Sequence, residues 1–162
     1  MTAKFFFHVG FMVCAFGIVT LLGCGGTPKQ DIFVTLNSTE ELNPDPDGTP
    51  HSVVVRVYTL KDDDRFKKAT FTDLWKRDRD TLGRDLLTWE EVTVHPGSEY
   101  PLEFEVELKE DQGFLGVVAF FLEYQGKAWR QILPLEDPFL PFSDQKIFII
   151  LDHHSVQVSH PE

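Results

Sequence analysis

The sequence is poor in cysteine, because its 162 residues include only Cys14 and Cys24. Cys14 lies in an apolar N-terminal run that we expect to be removed, so the mature protein keeps one cysteine and forms no internal disulfide. A domain of this length buries about two thirds of the surface of its unfolded chain. The fold must therefore be held by its apolar core, without covalent cross-links.

Positive charge is also scarce. The 15 Lys and Arg residues face 26 Asp and Glu residues, for a formal net charge of −11, and removal of residues 1–23 with Lys4 changes this charge to −12. Phosphate backbones and anionic lipid headgroups attract basic surfaces. The composition therefore argues against nucleic acid as a partner and against electrostatic docking on an anionic membrane.

Motifs for catalysis or metal binding are lacking as well. Ser98 lies in the turn sequence HPGSEY, which is not the strained G-x-S-x-G turn of a hydrolase nucleophile. His153 and His154 are adjacent and would point to opposite sides of a strand, so they are poorly placed to share a metal ion. The run 62–64 of three Asp lacks the ligand spacing of a calcium loop, and helix capping explains it better. We expect no enzyme activity, no metal site and no cofactor.

The N-terminus carries a long apolar run. Lys4 precedes residues 5–22, which contain no Asp, Glu, Lys or Arg. A short positive start followed by an apolar stretch is typical of a signal peptide, which takes no part in the fold. A stretch of this length could also span a membrane, so the residues that follow it decide between the two interpretations.

Those residues favour a lipoprotein signal. The sequence Leu21-Leu22-Gly23-Cys24 resembles the bacterial lipobox, in which the Cys thiol takes a diacylglyceryl group and a small residue before it permits cleavage. We therefore expect a signal peptide at 1–23, a covalent lipid on Cys24 and a tether at 24–30. Gly25 follows the Cys where an Asp would suggest retention in the inner membrane, so we expect the periplasmic face of the outer membrane of a Gram-negative bacterium.

The rest of the chain reads as a β-rich domain at 31–160. Residues 102–108 alternate between four apolar residues and three Glu, the pattern of a strand with one buried face. Residues 63–87 have helical spacing of apolar side chains and form a predicted helical insertion. The strands are expected at 32–36, 52–60, 89–94, 102–108, 114–124, 127–133, 146–151 and 155–158. Their short turns predict an antiparallel β-sandwich of two sheets.

Five apolar side chains are expected in the core. They come from strands in which alternate residues are apolar, or in which both faces are apolar. These residues are Val55, Phe104, Val106, Val118 and Phe120.

Three ordered stretches carry a family resemblance. The first is Asn43-Pro44-Asp45 with Gly48 and SVVVRVYTL; the second runs from Phe71 to the sequence EVTVHPG; the third is GVVAFF followed by GKAWR. After a lipobox, this set resembles the TssJ (SciN) family, the outer-membrane lipoproteins of the type VI secretion system. The resemblance covers about residues 20–151.

The resemblance implies a fold and a role. The implied fold is a transthyretin-like sandwich of two four-stranded sheets with a small helical addition. The implied role is to anchor the trans-envelope complex by binding the periplasmic C-terminal domain of TssM, with no small-molecule substrate. The family assigns the contact to the loop between the first two strands, here 37–51. The residues expected to bind the partner are Leu42, Asn43, Pro44, Asp45, Pro46, Asp47 and Gly48.

The composition of this loop agrees with a binding role. Fifteen residues are more than an ordinary hairpin connection needs, and loops of this length are often functional or disordered. Its three prolines restrict the backbone, so less entropy is lost on docking. Its four acidic residues predict a partner surface with basic character.

Two other functions are open from the residues. The chain could be a periplasmic ligand-binding or inhibitor lipoprotein, which a pocket lined by Trp89, Tyr100 and Trp129 would favour. It could also be a membrane-anchored hydrolase, although the sequence shows no nucleophile placed beside a base.

Overall fold

The structure is a computed structural model that describes residues 29–107, 113–136 and 145–159. The predicted signal peptide 1–23, the lipidation site Cys24 and residues 25–28 of the predicted tether lie outside these residues. None of the helices in the described ranges has the length and apolar character needed to cross a membrane.

The described residues form eight strands, two α-helices and a short 3-10 helix. The strands are β1 (Lys29–Ser38), β2 (Val53–Leu60), β3 (Leu86–Val94), β4 (Glu99–Glu107), β5 (Phe114–Ala119), β6 (Arg130–Pro134), β7 (Gln145–Asp152) and β8 (Ser155–Ser159). The helices are α1 (Asp64–Lys68) and α2 (Phe71–Leu82), followed by the 3-10 helix Gly83–Asp85.

The strands form two four-stranded sheets, which confirms the predicted sandwich. The strand order is β4-β1-β7-β8 in the first sheet and β3-β2-β5-β6 in the second. The prediction that all strands are antiparallel is wrong for one pair, because β1 and β7 run parallel from Ile32–Gln145 to Ser38–Leu151. Short turns constrain only strands that are neighbours in the sequence, whereas β1 and β7 are separated by the whole second sheet.

Several element boundaries also differ from the predictions. β1 begins at Lys29, two residues inside the predicted tether, because Lys29 and Gln30 pair with Glu107 and Val106 of β4. β3 begins at Leu86, so the helical insertion ends before 87.

The predicted strand 114–124 is five residues too long. β5 ends at Ala119, the backbone N–H of Phe120 still donates to Val54 at 2.9 Å, and the backbone N–H of Leu122 donates to a side chain of another connection. The chain from 120 to 129 is therefore a connection and not a strand, and β6 begins only at Arg130.

The main core lies between the two sheets. Alternate residues of the strands fill it, and the predicted core residues Val55, Phe104 and Val106 are no more than 3% exposed. Val118 is also fully buried, but it lies on the opposite face of its sheet, towards the helices. The prediction for Phe120 is wrong: this side chain is only half-buried, because it lies beyond the end of β5.

The helical insertion covers the outer face of the sheet β3-β2-β5-β6. Phe66 of α1 and Leu74 and Leu82 of α2 are buried against Tyr58, Leu60 and Val118. A capping box begins α2. The side-chain hydroxyl of Thr70 accepts a hydrogen bond from the backbone N–H of Asp73, and the side-chain carboxylate of Asp73 accepts one from the backbone N–H of Thr70. Arg77 interrupts α2 with a φ of −152° and a ψ of 39°, so the helix has a kink at this residue.

Candidate partner-binding loop

The connection between β1 and β2 spans residues 39–52, close to the predicted 37–51. It lies at one end of the sandwich, together with the β3–β4 turn, the β5–β6 connection and the β7–β8 turn. Thr39 joins it to two of these segments, because its backbone N–H donates to Leu151 at 3.0 Å and its carbonyl accepts from Gly97 at 3.0 Å. The side-chain hydroxyl of Thr39 also donates to Asp152 at 2.9 Å. We call this group of connections the loop end.

Leu42 fixes the first half of the loop to the core. Its side chain is fully buried among the residues between the sheets, and its carbonyl accepts from the backbone N–H of His51 at 3.0 Å. The sequence suggested Leu42 as an apolar group for the partner. In the structure this side chain instead packs in the core, where a partner does not reach it.

Asn43 joins three connections. Its φ is +50°, a left-handed conformation that Asn tolerates better than most residues, and it is only 2% exposed. Its backbone N–H donates to His153 at 2.7 Å, its amide nitrogen donates to Ser52 at 3.0 Å, and its amide oxygen accepts from Leu122 at 2.8 Å. Asn43 therefore holds the loop in a fixed position relative to its neighbours.

A buried histidine supports the next residue. The carbonyl of Pro44 lies 3.0 Å from Nε2 of His154, and because a carbonyl only accepts, the ring donates from Nε2. His154 is 8% exposed, and its ring meets that of Phe121 edge to face. The base of the loop is thus braced from below by the β7–β8 turn.

Asp45 organises the tip of the loop. One carboxylate oxygen accepts from the backbone N–H groups of Asp47 at 3.0 Å and Thr49 at 2.9 Å, and the other accepts from Nε2 of His51 at 3.0 Å. The hydrogen bond from His51, followed by that from Thr49, lowers the pKa of Asp45 below its ordinary value. This carboxylate is therefore committed to the loop's own structure and is not a free charge for a partner.

The exposed part of the loop is its tip. Pro46, Asp47 and Gly48 are all exposed, and Gly48 has a φ of +83°, which a residue with a side chain adopts only with strain. Glu40 and Glu41 are exposed as well. Three free carboxylates, of Glu40, Glu41 and Asp47, therefore give the loop its negative surface.

Other residues that the sequence singled out have structural partners. In the acidic run 62–64, Asp63 makes no side-chain capping bond, but the Asp62 carboxylate accepts a hydrogen bond from the backbone N–H of Asp64, the first residue of α1, at 2.8 Å. Asp63 also pairs with Lys67, and Asp64 pairs with Lys68 at 2.7 Å. In the possible ligand pocket, Trp89 packs on the helix-covered face, whereas Tyr100 packs against the core between the sheets. The sheet β3-β2-β5-β6 lies between these two side chains, so they do not line one pocket.

Sequence reasoning missed the residues that brace the loop. His154 and Leu122 carry no motif, and their contacts with Pro44 and Asn43 span more than 70 residues of sequence. One signal was available, because Asn before Pro in a loop is a candidate for a turn with a left-handed backbone.

A family model and several solved structures match this chain. Residues 30–154 match the family model T6SS-SciN, described as "Type VI secretion lipoprotein, VasD, EvfM, TssJ". The structure is similar to that of the type VI secretion lipoprotein TssJ1 from Pseudomonas aeruginosa, with 28% identity, a TM-score of 0.70, and coverage of 83% of this chain and 98% of that one. A search of curated proteins found no match.

Two further solved structures contain a similar chain. One bears the name "T6SS protein TssM C-terminal domain (869-1107) from EAEC"; its chain is 28% identical, with a TM-score of 0.67 and coverage of 79% of this chain and 99% of that one. The other is called "Type VI membrane complex"; its chain is 27% identical, with a TM-score of 0.65 and coverage of 80% and 97%.

Proposed function

Because the chain belongs to the T6SS-SciN family of type VI secretion lipoproteins, we propose that it anchors the secretion system's membrane complex at the outer membrane by binding the periplasmic C-terminal domain of TssM. The observation that carries the proposal is that a chain of the same fold, similar over 99% of its length, occurs in a structure named for that TssM domain. The protein acts as a structural component, and its contact with TssM runs through the loop 39–52.

The loop has the properties of a docking element. Its base is held by buried Leu42 and Asn43, and its tip is held by hydrogen bonds to Asp45. A loop that is already ordered loses little conformational entropy on binding. The free carboxylates of the loop favour a partner surface with basic side chains, which accelerates association and fixes the orientation.

The proposed lipid on Cys24 gives the domain an orientation. Only residues 25–28 separate Cys24 from the first residue of β1. The five steps from Cys24 to Lys29 reach at most about 18 Å, at roughly 3.5 Å per step. β1 then extends over ten residues, or roughly 33 Å, before the loop begins. Because the lipid is attached near the start of β1 and the loop follows its end, the loop lies at the end of the domain away from the membrane, where a periplasmic partner meets it.

The anchor has a direct test. Replacement Cys24→Ser removes the only thiol that the lipobox offers, so the variant should be neither lipid-labelled nor retained in the outer-membrane fraction, because stable attachment needs acyl chains. Secretion should fail with it. Lipid labelling of Cys24→Ser that equals that of the wild type would contradict the anchor.

The partner contact is tested at the tip. The double variant Pro46→Ser/Asp47→Arg changes two exposed side chains and leaves Asp45, Gly48 and the base intact. Full-length protein in mild detergent should bind the C-terminal domain of TssM from the same organism at least about tenfold more weakly when it carries these changes. The melting temperature should not change, because both side chains are exposed.

A matched control uses a carboxylate away from the loop end. Glu103 is exposed in the middle of β4, and Glu103→Arg makes the same change of charge, so it should bind TssM like the wild type. If the tip variant also binds like the wild type, the loop is not the contact. If the wild type itself does not bind, the proposed partner is wrong.

A further inference from the structure

We propose that the partner-binding surface is composite, and that Leu122 of the β5–β6 connection supplies its apolar anchor beside the loop tip. The inference rests on the proposed function and names the part of the surface that the loop does not provide. The occupant is the same protein partner, with an apolar pocket that accepts Leu122 and basic side chains around that pocket.

The loop is too small and too polar to bind alone. Its exposed residues are 40, 41 and 46–52, whereas a stable protein interface uses roughly 20 residues on each side. Binding energy is concentrated in a few well-packed side chains at the centre of an interface. The loop's large aliphatic side chain, that of Leu42, is buried in the core. A central anchor must therefore come from a neighbouring segment.

Leu122 has the exposure that such an anchor needs. Its side chain is 59% exposed, more than that of any other large apolar residue in the described part of the chain. The next most exposed are Trp75 at 43% and Leu87 at 41%. Leu122 lies at the loop end, three residues after the end of β5, whereas Leu87 lies at the opposite end, near the start of β3. The most exposed apolar group thus coincides with the proposed contact region.

The position of Leu122 is fixed relative to the loop. Its backbone N–H donates to the amide oxygen of Asn43 at 2.8 Å, so the two connections form one continuous surface. The preceding residue, Phe121, is 3% exposed and packs on His154, which itself holds Pro44. The backbone of Leu122 is therefore held at its own N–H and through Phe121 while its side chain is exposed, and docking orders little that is not already ordered.

The residues around Leu122 indicate which chemistry the partner's pocket must have. Tyr124 stacks on Phe71 with ring centroids 3.8 Å apart, and Phe120 packs between Phe71 and Trp75, so aromatic side chains border the connection. Glu123 is exposed and adds to the negative charge of the loop tip. The complementary surface is apolar at its centre and basic at its rim.

Substitution of Leu122 tests the inference. Leu122→Ser removes the apolar side chain from an exposed position, so the fold and melting temperature should be unchanged, while the Kd for the TssM C-terminal domain rises by about tenfold or more. Leu122→Met keeps an apolar side chain of similar volume and should bind nearly as the wild type. Leu87→Ser, the matched control at the other end of the sandwich, should bind as the wild type. All variants are full-length proteins in mild detergent.

The outcomes separate this inference from the proposed function. If the wild type binds and Leu122→Ser binds equally well, Leu122 is not an anchor and the composite surface is wrong, while the proposed partner stands. Equal weakening by Leu122→Ser and Leu87→Ser also overturns it, because the effect would then belong to exposed apolar groups in general. Absence of binding by the wild type overturns both proposals.

Discussion

The outer faces of the two sheets differ sharply. α1 and α2 cover the outer face of β3-β2-β5-β6, whereas β4 and β1 of the other sheet present Glu103, Glu105 and Lys29 to solvent. We call these the covered face and the open face. Strand sequences predict the difference, because a strand that is apolar on both sides needs cover on both sides, and a strand that alternates with charges needs only one.

The covered face is joined to its helices by polar contacts as well as apolar ones. Arg56 projects from β2 and donates to the carbonyl of Leu74 in α2 at 2.8 Å and to Asp78 at 3.2 Å. Tyr58 donates its hydroxyl to the same carboxylate at 3.0 Å, and burial raises the pKa of this phenol above its ordinary value. Buried charges need such partners, so α2 has a defined position on the sheet.

The open face carries ion pairs of a different kind. Lys29 lies 2.6 Å from Glu105, but the two side chains are 54% and 60% exposed. Exposed pairs of this kind contribute little to stability, because water screens them and holding two long side chains costs entropy. Charges on this face serve instead to discourage pairing with other sheets. The two faces therefore use charge for attachment in one case and for solubility in the other.

The largest loss of stability is expected from a core residue of the sheet β4-β1-β7-β8, on the side that faces the other sheet. Phe104→Ala removes a side chain that is 3% exposed and should lower the free energy of unfolding by about 3–5 kcal/mol. Phe148→Ala, on the outer side of the same sheet, removes a half-buried ring and should cost clearly less. Urea unfolding of both variants measures the difference. Equal losses would mean that the two sides of this sheet are not distinct.

A smaller effect is expected under the helices. A Cβ atom at Gly116 would lie 2.8 Å from the ring of Phe66, so Gly116→Ala overpacks the covered face and should cost about 1–3 kcal/mol. Phe66→Leu makes room there, so the double variant should be less destabilised than the sum of the two single variants. Strict additivity in urea unfolding would show that this contact does not limit the packing of α1.

The cap of α2 should contribute less again. Thr70 accepts from the backbone N–H of Asp73 at 3.2 Å, and Thr70→Ala should cost about 1 kcal/mol at neutral pH, a typical value for the loss of an N-cap. Thr70→Ser keeps the hydroxyl and should retain most of the stability. A loss of the same size in both variants, measured by urea unfolding, would argue against the capping bond.

The same cap predicts a dependence on pH. Hydrogen bonds from the side chain of Thr70 and then from Arg77 lower the pKa of Asp73 from 3.8 to about 2. A carboxyl whose folded-state pKa is lowered stabilises the fold above its unfolded pKa, and this stabilisation is lost as the pH falls through the folded value. The wild type should therefore lose stability between about pH 4 and pH 2 by more than Asp73→Asn does. Parallel curves for the two proteins would contradict this assignment.

The smallest effect belongs to the open face. Lys29→Ala breaks the ion pairs with Glu105 and Glu107 and should leave the free energy of unfolding nearly unchanged. High salt should remove any small difference, because it screens exposed charges. A clear loss of stability that persists in high salt would mean that charges on this face contribute to the fold, as those of Arg56 and Asp78 do on the covered face.

Much of the fold follows from local patterns in the sequence. The alternation along β4 identifies Phe104 and Val106 as buried, and the helical spacing after Leu60 locates both helices. What the sequence does not reveal depends on distant contacts. The parallel pairing of β1 with β7 needs the packing of the whole sandwich, and the connection after β5 is held by a hydrogen bond from Leu122 to Asn43 of another connection.

The sequence predicts which segment forms the candidate site, but not which of its side chains are available to a partner. Length and proline content mark the loop, but burial and hydrogen bonding divide its residues into three groups. Leu42 and Asn43 belong to the core, Asp45 belongs to the loop's internal hydrogen bonds, and Pro46 and Asp47 are exposed. No local pattern separates these groups, because the division depends on what the other connections place beneath the loop.

The central position of β1 has a mechanical consequence. β1 pairs with β4 from Lys29 to Asn37 and with β7 from Ile32 to Ser38, so both of its edges are bonded along most of its length. A force that pulls the start of β1 away from the loop acts along the strand, at right angles to these hydrogen bonds. Such a force shears the hydrogen bonds, which then share the load and must break together. β1 should therefore resist stretching far better than a hairpin whose hydrogen bonds open one at a time.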